Sequence, residues 1–88
     1  MEILNEEGKR FYIKTNSGEA ELSYKQEGKI ISIFHTFVPE ADRGKGLAEI
    51  LANKAFDYAI EHKLSVRPDC SYIVHFIEKH PELKKYSL

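Results

Sequence analysis

The chain has 88 residues, 42% of them hydrophobic and 31% charged, with 13 Lys+Arg against 14 Asp+Glu and a formal charge of −1. That length supports one domain with a modest core, so residues 1–88 are expected to form a single unit. The even charge balance argues against a general binder of nucleic acid or anionic membrane, and no apolar run approaches the roughly 20 residues of a membrane span.

Met1 to Glu7 is acidic and short of an apolar core, so it does not read as a signal peptide, and it suits a short edge strand. Gly8-Lys9 can turn it into a strand over Phe11, Tyr12 and Ile13. Asn16-Ser17-Gly18 is turn chemistry, and Glu19 to Lys25 then alternates, with Ala20, Leu22 and Tyr24 facing in. Gln26 to Lys29 closes a second hairpin. Ile30 to Val38 is apolar on both sides of a strict alternation, Ile31, Ile33, His35 and Phe37 on one and Ile30, Phe34 and Val38 on the other. That pattern predicts an inner strand covered on both faces and ended by Pro39.

Leu47 to His62 repeats apolar residues at helical spacing through Leu47, Leu51, Ala55, Tyr58 and Ala59. Leu64-Ser65-Val66 reads as a short strand stopped by Arg67-Pro68, and the strand–helix–strand crossover makes it a parallel neighbour of the inner strand. Asp69-Cys70-Ser71 opens a second helix, Tyr72 to Lys79, and Pro81 starts a last turn docking Leu83 and Tyr86. The order predicts an α+β fold, mostly antiparallel, with one parallel crossover. The one cysteine, Cys70, has no partner for an internal disulfide, which suits a reducing compartment and a cytoplasmic location.

Between the inner strand and the long helix lies Glu40-Ala41-Asp42-Arg43-Gly44-Lys45-Gly46-Leu47-Ala48. A strand, a glycine turn and a helix N-terminus make an anion site from backbone N–H groups, with Arg43 and Lys45 adding charge. A dinucleotide fingerprint would need a glycine where Glu49 stands, and an ATPase-type phosphate loop would need Ser or Thr after Lys45, where Gly46 stands. A plain strand-to-helix connection with a glycine turn is the bland alternative.

Arg43-x-x-Gly46-x-Ala48 resembles the pyrophosphate-binding signature of the GNAT superfamily of N-acetyltransferases. His35-Thr36-x-Val38-Pro39, Pro68-x-Cys70-x-Tyr72 and His80-Pro81-Glu82 add a resemblance to its compact stand-alone subfamily, from about Phe11 to Glu82. The resemblance implies a GNAT-like fold, helices packed on the sheet, and transfer of acetyl from acetyl-coenzyme A to an amine on a small molecule or protein. It implies that Arg43, Gly44, Lys45, Gly46, Leu47 and Ala48 hold the pyrophosphate, while the backbone at Phe37 and Val38 pairs with the pantetheine arm. Many relatives carry an acid between Thr36 and Val38; Phe37 stands there instead, which removes a base from that position. The chain also lacks the early helices that often build an acceptor pocket, so a non-catalytic acyl-coenzyme A binding or sensing module is the alternative.

Three side chains are candidates for the chemistry. Cys70, at a helix start beside the expected thioester, is either a transient acetyl acceptor, a contact to the cofactor sulfur, or a buried small apolar residue. His35 is either a general base or a core histidine bonded to backbone. Tyr72 either protonates the leaving thiolate or packs. Lys79, Lys84 and Lys85 form a solvated face or receive the 3′-phosphate. His75, His80 and Cys70 match no metal-ligand spacing, so no metal is expected. Neither the acceptor nor the oligomeric state is legible.

Overall fold

The computed structural model describes residues 1–88. Its five strands are β1 (Leu4–Glu6), β2 (Arg10–Thr15), β3 (Gly18–Glu27), β4 (Ile30–Phe37) and β5 (Ser65–Pro68), and its helices are α1 (Leu47–Glu61) and α2 (Ser71–Lys79). Short 3-10 turns occupy Glu40–Asp42 and Pro81–Tyr86. The sheet order is β1-β2-β3-β4-β5, antiparallel throughout except for the parallel β4–β5 pair.

Alternation decides which residues of β2 and β3 go inside. Phe11 pairs with Leu22 and Ile13 with Ala20, and all four are buried on one face. Against that face α1 lays Leu47, Leu51, Ala52, Ala55, Phe56 and Ala59, all buried, at the spacing of one helical side. α2 adds Ile73, Phe76 and Ile77 to the same core, and Phe56 stacks on Phe76 with centroids 5.8 Å apart. Leu83 and Tyr86 pack at its margin. Both helices therefore lie on one side of the sheet. No helix is long and apolar enough to cross a membrane.

Two expectations need correction. β4 is not covered on both faces: Phe34 is 52% exposed and Phe37 45%. Nor do His35 and Phe37 share a face with Ile31 and Ile33. Tyr24 pairs with Ile33 but Ser23 with His35, so Phe34 is an extra residue, a β-bulge. Beyond it the parity of β4 is inverted. Thr36 now stands opposite the core residue Leu22, while His35 and Phe37 stand opposite Ser23 and Glu21 on the helix-free face. A smaller difference is that β5 continues through Arg67 and Pro68 instead of stopping before them, with Pro68 opposite Ile33.

α1 ends in a Schellman-type cap. The Leu64 N–H donates to the Ala59 carbonyl at 2.8 Å and the Lys63 N–H to Ile60 at 3.2 Å. Lys63 occupies the left-handed position, φ 58°, that glycine usually takes.

Candidate functional site

The β4–β5 pairing begins at Ile30 with Ser65 and ends at Ile33 with Pro68. One more bond follows, from the Asp69 N–H to the Ile33 carbonyl at 3.0 Å. β4 itself runs on to Phe37, so its residues past the bulge have no strand partner on the β5 side. The split opens where the bulge bends the strand. At its head the Thr36 hydroxyl and the Cys70 Sγ are 3.5 Å apart.

The split leads into a cleft of about 330 Å³ lined by Thr36, Phe37, Val38, Asp42, Arg43, Gly44, Gly46, Leu47 and Ala48. Lys45 belongs to the same loop, its side chain 62% exposed. Gly44 (φ 84°) and Gly46 (φ 79°) are both left-handed, and Gly46 is the N-cap of α1 without a side-chain cap bond. Within the chain no acceptor meets the N–H groups of Gly44, Lys45, Gly46, Leu47, Ala48 or Glu49; the first N–H of this region with a partner is that of Ile50, donating to the Gly46 carbonyl. An unbroken run of free donors at the positive end of a helix fits a phosphate or pyrophosphate. The glycines matter for the same reason: a Cβ at either would touch nothing in the protein, so the space beyond them is open to a ligand.

The charged side chains of the loop are differently placed. Arg43 Nε donates to the Val38 carbonyl at 3.1 Å and ties the loop to the end of β4. Lys45 Nζ donates to Asp42 Oδ1 at 3.3 Å. Asp42 is only 6% exposed, and its Oδ2 has no partner. No sequence signal marks it, because a loop aspartate beside Arg43 reads as solvated.

The three catalytic candidates do not converge. Cys70 is the N-cap of α2, half-buried, its carbonyl accepting from the Ile73 and Val74 N–H groups. Tyr72 is half-buried in the first turn of the same helix; burial first, then the negative Glu49 on α1, pushes its phenol above the usual tyrosine range. It therefore keeps its proton at neutral pH and is able to donate. His35 lies on the other face of the sheet, its side chain 53% exposed and its Nε2 3.8 Å from Glu21 Oε2. A Cys70–His35 pair is thus absent; Thr36 is the neighbour of Cys70, because the bulge exchanges their faces. His80 packs against Phe76, the ring centroids 4.5 Å apart and the planes tilted by 43°, at the corner after α2. No group of three or more His, Cys, Asp or Glu is gathered closely enough to hold a metal ion.

The comparisons with known proteins bear on the family and the fold. Residues 10–86 match the family described as GCN5-related N-acetyl-transferase. Protein NATD1 of Bos taurus is 37% identical over 76 residues, covering 83% of this chain and 67% of that protein. The human Protein NATD1 is 36% identical over the same coverage, and that of Danio rerio 37%, over 69% of its length. Among solved structures, the NMR solution structure of a GCN5-like protein of Staphylococcus aureus superposes with a TM-score of 0.74 at 28% identity, covering 99% of this chain and 87% of that one. A bulged inner strand, a split sheet, a donor-lined helix start and a match over nearly the whole chain lead to one conclusion: the chain belongs to the GCN5-related N-acetyltransferase family.

Proposed function

We propose that this protein, as one domain, binds acetyl-coenzyme A in the cleft between the end of β4 and the start of α1 and transfers its acetyl group to an amine. The observation that carries the reading is the run of unpaired N–H groups from Gly44 to Glu49 beside that cleft. These donors, with Arg43 and Lys45, would hold the pyrophosphate. The end of β4 at Phe37 and Val38, which has no strand partner on the β5 side and whose Val38 carbonyl is taken by Arg43, would receive the amide-bearing arm as an added strand. When bound, the coenzyme supplies an activated acetyl thioester; the chain supplies position and protons. Tyr72 donates a proton to the departing thiolate, a part supported by its raised pKa and its place at the head of α2. His35 takes the proton that the acceptor ammonium must lose, from the helix-free face.

A part for Cys70 is supported by its sulfur, 3.5 Å from Thr36, at the head of the split. In that route a bond would form between Cys70 Sγ and the acetyl carbon as the coenzyme C–S bond breaks, the thiol proton passing to the departing sulfur; the amine nitrogen would then bond the acetyl carbon as the Sγ–acetyl bond breaks, and a proton from the amine would return to Cys70 Sγ.

The test is a titration with acetyl-coenzyme A together with intact-mass spectrometry of wild type and Cys70→Ala. Saturable binding is expected, as is an acetyl adduct that Cys70→Ala lacks. Binding without an adduct removes the cysteine route and leaves direct transfer. Binding without turnover on a broad amine panel favours a sensing module, which the bare face of the sheet would suit. Absence of binding overturns the reading.

A further inference from the structure

The helix-free face of the sheet carries a second concavity, about 510 Å³, that the cofactor reading does not use; Arg10, Glu21, Ser23, Lys25 and Phe34 line much of it. Two features set this face apart from an ordinary solvated surface. The bulge turns two phenylalanines, Phe34 and Phe37, to solvent at 52% and 45% exposure, where ordinary alternation would have hidden one of them. Beside them Glu21 is fixed with half of its carboxylate in use. Its Oε1 accepts from Arg10 Nη1 at 2.9 Å, and Arg10 is itself held by Glu6 and Glu19 at 3.0 and 2.8 Å. Oε2 takes no hydrogen bond; it faces the His35 ring, 3.8 Å away, and that ring makes no hydrogen bond of its own. Glu21 is 27% exposed and lies directly across from Phe37 in the sheet.

We propose that Glu21, opposite the exposed Phe37 in the sheet and lining the same concavity as the exposed Phe34, is the subsite that holds the primary ammonium group of the acceptor on the helix-free face. A free carboxylate oxygen gives the ammonium a charge-assisted hydrogen bond, and exposed aromatic rings attract a cation more than a neutral alcohol. Arg10 fixes the orientation of Glu21, so little side-chain freedom is lost on binding. His35, next to both, is positioned to take the ammonium proton. The acceptor then approaches one face of the sheet while the coenzyme occupies the cleft at the end of β4. The proposal rests on the amine-transferase reading but names a residue that reading does not need.

The test uses binding, not turnover. The ¹⁵N-labelled protein is titrated with 2-phenylethylamine and, in parallel, with 2-phenylethanol, which has no ammonium. The amine is expected to move the amide signals of Glu21, His35 and Phe37 saturably, and the alcohol to bind about tenfold more weakly or not at all. Glu21→Gln is expected to weaken amine binding about tenfold, and Phe34→Ala several-fold, while both variants bind coenzyme A like wild type and so are shown to be folded. Equal affinity for amine and alcohol, equal amine binding by wild type and Glu21→Gln, or shifts confined to another surface would overturn the subsite. Coenzyme A binding is read separately: its absence in wild type removes the transferase reading, while the amine titration still decides whether Glu21 holds an ammonium.

Discussion

At Gly46 two demands meet that glycine satisfies with the least strain. The backbone there is left-handed, φ 79°, and its N–H belongs to the run of free donors. A Cβ would meet no protein atom, so Gly46→Ala adds no steric clash within the chain. The expected loss of stability is that of one left-handed alanine, about 1–2 kcal/mol. The loss of coenzyme A affinity is expected to be larger, at least about tenfold, because the methyl group occupies the side from which a phosphate must approach. Denaturant unfolding and calorimetric titration on the same variant separate the two. A variant that loses stability but binds unchanged would show that the phosphate does not sit on this residue. Asp42 makes the opposite contribution: a buried carboxylate oxygen without a partner, at the margin of an anion site, is a cost the loop tolerates while Lys45 holds the other oxygen.

Among the elements, β4 does most to shape the site, and it does so through one additional residue. Because Phe34 is an insertion in the pairing with β3, deleting it leaves Ile33 and Thr36 on the core side and His35 on the other. The hydrophobic faces therefore survive, and the deletion variant is expected to fold with near-native circular dichroism. It is expected to lose the bend, to let β5 pair further along β4, and to bind coenzyme A at least about tenfold more weakly. Retained affinity would mean that the split does not depend on the bulge. The end of α1 offers a stabilising counterpart. Lys63 holds the left-handed position of a Schellman cap at φ 58°, so Lys63→Gly is expected to stabilise the fold by up to about 1 kcal/mol, seen as a higher denaturant midpoint with an unchanged slope.

Taken whole, the molecule is one sheet with all its helical cover on one side, and its two most perturbed tyrosines lie at opposite ends of that cover. Tyr58 is raised chiefly by burial, then by Tyr24 and Glu7; Tyr72 chiefly by burial, then by Glu49. A phenol whose folded pKa exceeds its unfolded value of about 10 contributes full stability below pH 10. That contribution is lost as pH rises through the folded values, because the unfolded chain ionises first. Unfolding midpoints are therefore expected to hold level from neutral pH to about pH 9 and to fall beyond it. The double variant Tyr58→Phe, Tyr72→Phe should show a shallower alkaline decline, and an unchanged slope would show that burial of these phenols is not what limits the fold at high pH.

The sequence alone determined the order of the strands and helices, because most rest on local causes: alternation in Glu19 to Lys25, a 3.6-residue repeat from Leu47, prolines at Pro39 and Pro81; the turn at Glu40–Asp42 and the reach of β5 through Pro68 had no such signal. It also determined the glycine loop, since free donors at a helix start follow from Gly44 and Gly46 preceding an apolar periodic run. The side of the sheet on which His35, Phe37 and Thr36 fall was decided only in three dimensions. A bulge has no signature in β4 itself; it arises from matching the apolar set of β4 to that of β3, with Leu22 and Tyr24 both required inside and one residue too many between their partners. The same is true of Glu21 and Asp42, whose roles come from what long-range pairing sets beside them: Arg10 and His35 in one case, a closed loop with too few donors in the other.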